Sequence, residues 1–322
     1  MNIPKFALLA ALTLQVLAGA AQAQTVISAV SAFPSGHLFS SRFEQFIKEF
    51  NAAHGSEVRI DYKGGAPAVG SPFTLGGRVQ QGQFDLMSNT GPYYETVVPV
   101  ALALILTNNK PIGELRKTDW IDAMQEAHKA RGLYYLGKLN EGAPFQLYLR
   151  KPIDKADLAG LRLRVAPHYQ PFFGALGATT VRSDLGEIYT LMENGSIGGF
   201  GWPIIGFLPD WLKITTYRVD PGFYDTDLNM VFNLNTWNKL SDKQKKLFND
   251  LRDKFEANAV EVTQGWAVEA KQKMAAAGMQ VIELKGAERD KFVKTANDTA
   301  WATVVERDPA LGGRLRKAAY GQ

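Results

Sequence analysis

Residues 25–62 read TVISAVSAFPSGHLFSSRFEQFIKEFNAAHGSEVRIDY, and this stretch decides the fold class. Its first nine residues are small, β-branched or aromatic and predict a strand that stops at Pro34. EVRIDY, at 57–62, alternates as a strand does. Between them, residues 38–54 place large apolar side chains at helical intervals: Leu38, Phe39, Phe43, Phe46, Ile47 and Phe50. The strand–helix–strand order predicts an α/β sheet connected by crossovers.

The same alternation starts again downstream. Strand-like runs lie at 133–139, 145–150, 161–167 and 229–237, and helical ones at 120–132, 169–177 and 185–195. We therefore predict two lobes: 24–149 plus about 226–265 form lobe I, and 150–225 plus about 266–322 form lobe II. Residues 241–278 contain no proline and open with a capping box at Ser241 and Gln244. As one helix they would be about 55 Å long, enough to run along both lobes.

The N-terminal residues have the features of an export signal. Lys5 gives a positive start, 6–20 is an apolar run shorter than a bilayer span, and AQA at 21–23 is a small-x-small cleavage site. The alternative interpretation is an amphipathic or buried first helix. We predict a signal peptide at 1–23, cleavage after Ala23, and a soluble protein exported to the periplasm.

Composition excludes several classes of protein. Apolar residues make up 46% of the chain, which excludes wholesale disorder. The net charge is +4, with 36 Lys and Arg against 32 Asp and Glu, and without a basic run, so no nucleic-acid partner is predicted. The absence of cysteine excludes disulfides, zinc–thiolate sites and thiol nucleophiles.

Catalytic and cofactor motifs are not evident in the sequence. The four histidines, His37, His54, His128 and His168, do not have metal-ligand spacing. There is no G-x-S-x-G elbow and no Walker A lysine, and the glycine-rich run at 64–72 is typical of a loop. We interpret the acid pairs Asp225/Asp227 and Asp250/Asp253 as solvated charges. No enzyme activity and no cofactor are predicted.

Arg164 is the charged residue with the most suggestive position. In LAGLRLRVAP, strand alternation puts Leu163 and Val165 on one face and Arg162 and Arg164 on the other. Arg164 is close to the carboxyl end of the strand, where open α/β sheets bind ligands. Its guanidinium could hold a carboxylate through two parallel hydrogen bonds. On strand logic alone, a surface arginine paired with an acid explains the position equally well.

Aromatic residues recur at the ends of predicted strands. They are Phe33, Tyr93, Tyr94, Trp202, Phe223 and Tyr224. A single aromatic residue is more often core than ligand contact. Because these residues recur where a cleft should lie, the group is interpreted as part of a binding site.

Several segments together resemble the periplasmic solute-binding proteins of tripartite ATP-independent periplasmic (TRAP) transporters, the DctP-type family 7 extracellular solute-binding proteins. The resemblance is densest in VQQGQFDLMSNTGPYYETVVPVA (79–101), LRKPIDKADLAGLRLRVAP (149–167), LGATTVRSDLGEIYTLMENGSIGGFGW (176–202) and FNLNTWNKLSDKQKKLF (232–248). It implies a two-lobed α/β periplasmic-binding-protein fold, with strand crossovers between the lobes and a long helix spanning both. It also implies capture of an organic acid for a membrane permease.

The resemblance also implies particular ligand contacts. Arg164 occupies the place of the family's carboxylate-binding arginine. Trp202 and Tyr93 match pocket aromatics of the branch that binds 2-oxo acids, which looks closest. Glu187 could reach the ligand, but a salt bridge or a place at a helix start is the preferred interpretation. The full set of expected ligand contacts is Arg164, Trp202, Tyr93, Phe33, Asn140, Phe223 and Tyr224.

Two departures from that branch concern its metal ion. Gly201 stands where the branch has a glutamate ligand, and Pro144 falls where a glutamine serves the metal. Neither residue can supply a side-chain oxygen, and a hard cation needs several. We therefore predict a metal-free site that binds a monocarboxylate with a hydrophobic or aromatic body, a small hydroxy or oxo acid being the alternative.

The chain's partners are less constrained by the sequence. The resemblance favours a monomer that delivers its ligand to TRAP membrane permease subunits. The same fold could instead serve as a ligand-sensing subunit that docks on a signalling receptor. A periplasmic enzyme on the same fold is the third alternative, and the missing catalytic constellation argues against it.

Overall fold

The computed structural model describes residues 24–107 and 110–321, so the predicted signal peptide lies outside the described residues. The strands are β1 (Thr25–Ser31), β2 (Val58–Gly65), β3 (Leu86–Asn89), β4 (Leu133–Asn140), β5 (Pro144–Leu149), β6 (Arg162–Val165), β7 (Thr179–Arg182), β8 (Gly199–Pro203), β9 (Tyr217–Asp225), β10 (Leu228–Asn233) and β11 (Gln280–Glu283). The α-helices are α1 (Leu38–His54), α2 (Leu75–Gln80), α3 (Ile112–Leu115), α4 (Asp119–Lys129), α5 (Gln170–Ala175), α6 (Ile188–Glu193), α7 (Leu234–Lys239), α8 (Asp242–Ala257), α9 (Ala259–Ala276), α10 (Gly286–Arg307) and α11 (Pro309–Tyr320). Short 3-10 helices are Gly91–Tyr93, Pro99–Ile105, Pro167–Tyr169, Leu185–Glu187 and Pro209–Lys213.

The first sheet has the strand order β2-β1-β3-β10-β4. Strands β2, β1 and β3 are parallel, and β10 runs antiparallel to both of its neighbours. Helix α1 connects β1 to β2, as the sequence predicts. Its buried face includes Phe43, Phe46 and Phe50, and the Phe50 ring stacks on Phe248 of α8 at 4.2 Å. The period-3.6 apolar stripe therefore packs against a second helix as well as the sheet.

The second sheet has the order β11-β9-β5-β8-β6-β7. Strand β6 is parallel to β7 and β8, whereas β5 runs antiparallel to β8 and β9. Two mixed sheets with helices around them form the two-lobed α/β fold expected from the sequence. No helix within residues 24–107 and 110–321 combines the length and apolarity needed to cross a bilayer.

Two short crossovers join the sheets, one between β4 and β5 and one between β9 and β10. Asp225, at the end of β9, ties them together. Its carboxylate accepts hydrogen bonds from the backbone N–H of Gly142 (2.8 Å), Ala143 (2.9 Å) and Thr226 (2.9 Å). One side chain therefore satisfies the backbone of both crossovers.

The predicted lobe ranges stay a prediction, and two packing features bear on them. Strand β5 belongs to the second sheet, so the chain leaves the first sheet before Pro144, earlier than the predicted boundary at 149/150. Helix α11 packs on α4, where Arg314 pairs with Asp119 (2.7 Å) and Glu126 (2.6 Å). The C-terminal helix thus returns to the first-sheet side of the molecule.

The predicted long helix over 241–278 is interrupted. The capping box at Ser241 and Gln244 is present, but Asn258, with φ of −114°, separates α8 from α9. Arg42 of α1 holds this break, because its Nη2 donates to the carbonyl of Phe255 (2.7 Å) and to Asn258 Oδ1 (2.8 Å). Helix α8 packs beside the first sheet, and α9 leads to β11 of the second.

The four aspartates predicted to be solvated divide into two kinds. Asp250 and Asp253 lie on the exposed side of α8 beside Lys246 and Arg252, as predicted. Asp225 and Asp227 are buried, which corrects the prediction. The sequence offered no sign of this because both are held by backbone N–H groups, and such partners are set by the fold.

Two polar side chains beside the first sheet, those of Arg116 and His128, have partners within the protein. Arg116 donates through Nη2 to Oε1 of Glu256 on α8 at 2.8 Å. His128 on α4 has a partner at each ring nitrogen: the Tyr94 hydroxyl lies 3.1 Å from Nε2 and the Met124 carbonyl 2.7 Å from Nδ1. Burial lowers the pKa of His128 to about 4, so the ring is neutral near pH 7.

Candidate ligand-binding site

A small cavity lies where strand ends of both sheets meet the crossover between β9 and β10. Phe33 follows β1 and Thr90 follows β3, while Ala166 follows β6 and Pro203 ends β8. The full lining is Phe33, Phe39, Thr90, Tyr93, Phe145, Arg164, Ala166, His168, Tyr169, Trp202, Pro203, Thr226, Asp227 and Leu228. The cavity between these side chains is about 30 Å³, room for one or two water molecules and well below the range for small-molecule sites, so an organic acid can enter only if the surrounding elements move apart.

Arg164 carries the charge of this cavity. It is only 2% exposed, and three of its five N–H groups are used: Nε and Nη2 donate to the Ser183 carbonyl (3.1 and 2.6 Å) and Nη1 donates to the Tyr169 hydroxyl (2.9 Å). No Asp or Glu among the described residues lies within 4.0 Å of it, so the surface ion pair considered above is not formed. A buried guanidinium with two unused N–H groups and no counter-charge is arranged to receive an anion.

Tyr169 positions that arginine and depends on the glycine next to Trp202. The Tyr169 hydroxyl donates to the Gly201 carbonyl at 2.8 Å while it accepts from Arg164. A Cβ at Gly201 would come within 2.8 Å of the Tyr169 ring and 3.3 Å of the Phe173 ring. Gly201 is therefore a position where the close approach of an aromatic ring excludes any side chain.

Aromatic rings form the apolar wall of the cavity. Phe39 lies 6.0 Å from Trp202 and 4.9 Å from Phe33, and Phe33 lies 6.0 Å from Tyr93, measured between ring centroids. Trp202 Nε1 donates to the Gly206 carbonyl at 3.2 Å, so its ring offers the cavity an apolar face. Burial raises the pKa of Tyr93 to about 12, which keeps its hydroxyl a neutral donor.

His168 is a lining residue that the sequence reasoning missed. It is 6% exposed, and neither ring nitrogen has a hydrogen-bond partner among the described residues. Burial and the nearby charge of Arg164 lower its pKa to about 3. Its only signal in the sequence is its place four residues after Arg164, past the end of the same strand.

Asp227 is the acid of the cavity lining. Its carboxylate accepts from the Gly91 N–H at 2.8 Å, from Asn229 Nδ2 at 2.5 Å and from the Thr90 hydroxyl. Burial raises its pKa, and the charge of Lys138 acts in the opposite direction. These bonds join the crossover to the 3-10 helix that carries Tyr93.

Four of the seven expected contacts line the cavity: Arg164, Trp202, Tyr93 and Phe33. The other three, Asn140, Phe223 and Tyr224, do not. Phe223 packs among core rings such as Phe172 (5.0 Å), and the Tyr224 hydroxyl donates to the Ala296 carbonyl at 3.1 Å. Asn140 is fully buried beside lining residue Leu228, and its amide has no partner among the described residues, so it stays a predicted ligand contact.

The other predicted features of the site concern Glu187 and metal ions. Glu187 belongs to a capping box with Asp184, whose N–H donates to Glu187 Oε2 at 2.9 Å, so the preferred helix-start interpretation is confirmed. Within the described ranges, no group of three or more His, Asp or Glu side chains is placed to hold a metal ion. Pro144 does not line the cavity. The expectation of a metal-free site stays a prediction.

Two sheets joined by crossovers, with a cavity at the strand ends where the crossovers pass, define a two-lobed periplasmic binding protein. The model of the DctP family, described as bacterial extracellular solute-binding protein, family 7, matches residues 30–308. The chain therefore belongs to this family. The family is one of extracellular solute-binding proteins, so this chain is a binding protein and not an enzyme.

Solved structures share the fold at low sequence identity. A TRAP periplasmic solute-binding protein from Desulfovibrio salexigens with bound orotic acid has a TM-score of 0.81 and 18% identity, covering 92% of this chain and 98% of that one. A Bordetella pertussis extracytoplasmic solute receptor binding pyroglutamic acid has a TM-score of 0.78 and 16% identity, with 92% and 99% covered. A protein from Haemophilus influenzae RdAW with bound L-gulonate has a TM-score of 0.78 and 15% identity, with 93% and 100% covered.

Proposed function

We propose that this chain captures an organic monocarboxylate in the cavity at Arg164 and delivers it to the membrane permease of a TRAP transporter. The observation that supports the proposal most strongly is the buried guanidinium of Arg164, which has two unused N–H groups and no acidic partner within 4.0 Å among the described residues. A ligand carboxylate would supply the missing counter-charge and accept both remaining bonds.

The lining favours a ligand with one charge and an apolar body. Trp202, Phe33 and Phe39 offer ring surface, and the Tyr93 hydroxyl, which makes no hydrogen bond to a described residue, is free to donate to the ligand. The solved relatives contain orotic acid, pyroglutamic acid and L-gulonate, which are also organic acids. We propose that closure of the two lobes around the acid is a hinge motion in which the ligand favours the closed state.

The first experiment identifies the acid. A thermal-shift screen of residues 24–322 over organic acids, including aromatic and 2-oxo acids, should find a ligand that stabilises the fold by mass action. Titration calorimetry then compares Arg164→Lys with wild type. Lysine keeps the charge but cannot form two parallel hydrogen bonds to a carboxylate. We therefore expect a loss of about 2 kcal/mol or more in binding free energy, roughly 30-fold in Kd.

Arg162 is the matched control, because it lies on the same strand but is exposed. Arg162→Ala should bind the acid as wild type does. If Arg164→Ala also binds as well as wild type, the site assignment is wrong. Delivery is tested separately by uptake of the acid into vesicles that contain the cognate permease, which should require the binding protein.

Export and oligomeric state complete the proposal. We propose that residues 1–23 are removed after Ala23 and that the mature protein acts as a monomer in the periplasm. Mass spectrometry of periplasmic extract should give an N-terminus at Gln24, and light scattering should give the mass of one chain. An intact N-terminus or a dimer mass would contradict the respective part.

A further inference from the structure

Besides the unused N–H groups of Arg164 and the Tyr93 hydroxyl, His168 is a lining residue whose polar atoms make no hydrogen bond to a described residue. His168 is only 6% exposed, and both Nδ1 and Nε2 lack hydrogen-bond partners in the part of the chain that the structure describes. An unpaired buried polar group is costly, and native proteins satisfy nearly all of them. The deficit at His168 therefore indicates that something else completes its hydrogen bonding.

The ring is well placed to meet the same ligand as Arg164. It packs edge-to-face on Tyr169, with centroids 4.7 Å apart, and Tyr169 is the residue whose hydroxyl holds the guanidinium. On another side it meets Phe145, also a lining residue, at 5.6 Å. These two aromatic neighbours offer the ring nitrogens no hydrogen bond. Because His168 lines the cavity, a ligand there is placed to supply one, and water in the surface groove that His168 shares with Gln170 and Arg307 is the competing partner.

The charge state of His168 restricts what that ligand group can be. With a pKa of about 3 the ring is neutral, so it has one N–H donor and one acceptor nitrogen. A second carboxylate on the ligand would face a neutral ring and also the carboxyl of Asp227 in the same lining. A hydroxyl, keto or amide group meets a neutral imidazole without burying another charge.

We propose that His168 is a specificity-determining residue that hydrogen-bonds an uncharged polar group of the ligand, so that the site selects hydroxy, oxo or amide monocarboxylates over plain carboxylic acids and dicarboxylates. The inference rests on the proposed function, because it takes the ligand carboxylate to be bound by Arg164. It narrows the ligand from a monocarboxylate with an apolar body to one that also carries a neutral hydrogen-bonding group.

Matched pairs of acids test the selectivity. Calorimetry measures lactate against propionate, 2-hydroxy-4-methylpentanoate against 4-methylpentanoate, mandelate against phenylacetate, pyruvate against propionate, and pyroglutamate against cyclopentanecarboxylate, with malate as the dicarboxylate. For the pair that binds most tightly, we expect wild type to prefer the polar member by about tenfold, the size of one hydrogen bond to a buried group. His168→Phe should reduce the preference to about twofold or less by weakening the polar member only.

Two further variants separate a hydrogen bond from a packing effect. His168→Gln keeps a neutral donor and acceptor and should restore part of the preference. His128→Phe removes a buried histidine that already has protein partners and should leave the preference unchanged. Since a variant can fail to fold, the ring nitrogen NMR signals of His168 in wild type give an independent readout: they should shift with the polar acid and stay unchanged with its apolar match.

The outcomes distinguish the two proposals. If wild type binds the acids without preferring the polar members, if malate binds most tightly, or if His168→Phe keeps the preference, the inference about His168 is overturned while the carboxylate site stands. If no acid binds, or if Arg164→Ala binds them all as wild type does, the proposed function itself fails.

Discussion

Two regions of the molecule each hold one arginine and one buried histidine, and the two pairs differ in what surrounds them. Beside the first sheet, Arg116 is bonded to Glu256, and His128 has a partner at both ring nitrogens. In the cavity, Arg164 has no acidic partner among the described residues and His168 has no partner at either nitrogen. The residue types are the same and the supply of partners differs, although Arg116 is also the more exposed arginine, with 23% of its side chain exposed against 2% for Arg164.

The difference separates groups that stabilise the fold from groups that are available for binding. A buried polar group whose bonds are complete contributes to stability, and losing it exposes its partner to a desolvation cost. A buried group whose bonds are incomplete already bears that cost in the free protein, and a ligand can remove it. Missing partners support a binding role where the residue also lines the cavity, as His168 does; buried atoms without partners elsewhere, such as Trp120 Nε1 and Thr263 Oγ1, do not have that position.

The arginines give the largest expected effect. Arg116→Met should lower the free energy of unfolding by about 3 kcal/mol, at the lower end for a broken buried pair because the Arg116 side chain is 23% exposed. Arg164→Met should change it by less than about 1 kcal/mol, or raise it, because removing a buried charge without a counter-ion offsets the loss of its hydrogen bonds to Ser183 and Tyr169. Urea denaturation of both variants without ligand measures this. Equal losses would break the comparison.

The histidines should repeat the contrast on a smaller scale. His128→Phe leaves the Tyr94 hydroxyl without its imidazole partner, and we expect a loss of about 2 kcal/mol in the free energy of unfolding. His168→Phe breaks no hydrogen bond to a described residue, so its cost should stay below about 1 kcal/mol. The same denaturation measurement applies, and a larger loss at His168 than at His128 would contradict the interpretation.

The support of Arg164 by Tyr169 can be tested at Gly201. A methyl group there must displace the Tyr169 ring, which it would meet at 2.8 Å, and so disturb the bond to the guanidinium. We expect Gly201→Ala to weaken acid binding by about tenfold, or about 1.4 kcal/mol. Gly198→Ala is the control, because the nearest atom to its Cβ is the Arg162 carbonyl oxygen at 3.9 Å. Equal affinities of the two variants for the acid would show that Tyr169 does not position Arg164 for binding.

The pH dependence of stability tests whether both histidines are buried as neutral rings. Both histidines have folded pKa values, about 4 and about 3, below the 6.5 of the unfolded chain. As pH falls below 6.5 the unfolded state binds protons that the folded state does not, so each histidine lowers the free energy of unfolding by up to about 1.4 kcal/mol per pH unit.

Buried carboxyls act in the opposite direction. Burial raises the pKa values of Glu141, Asp225 and Asp227, so the folded state of these groups gains protons first as the pH falls. The contribution of His168 is therefore obtained by subtracting the free energy of unfolding of His168→Phe from that of wild type. This difference should decrease as the pH is lowered from 7 to 5. A flat difference would mean that His168 is not buried as a neutral ring.

The fold was largely predictable because its signals are local. The period of the apolar residues in α1 and the strand-like runs on either side of it lie within 38 residues, and the sheet follows from their order. Arg164, Trp202, Tyr93 and Phe33 were predictable for a related reason, since strand ends of an α/β sheet meet at one edge. Burial of Asp225 and Asp227 depends on distant backbone, which local patterns do not contain.

The position of a residue at a strand end does not predict the direction of its side chain. Phe223 lies where the register of β9 against β5 shifts, and Tyr224 has a φ of 46°, so simple alternation fails there and both rings turn into the core. His168 was missed for the opposite reason. Its position was visible, but its lack of partners is a property of its neighbours in space.

Asp225 lies just outside the cavity and still affects what binding costs. Because its carboxylate is shared by backbone N–H groups from both crossovers, neither crossover can slide along its length without breaking bonds that involve the other. We therefore expect the two crossovers to bend together when the sheets move relative to each other. The open protein samples fewer arrangements than two independent tethers would allow, so less configurational freedom is lost when an acid is enclosed.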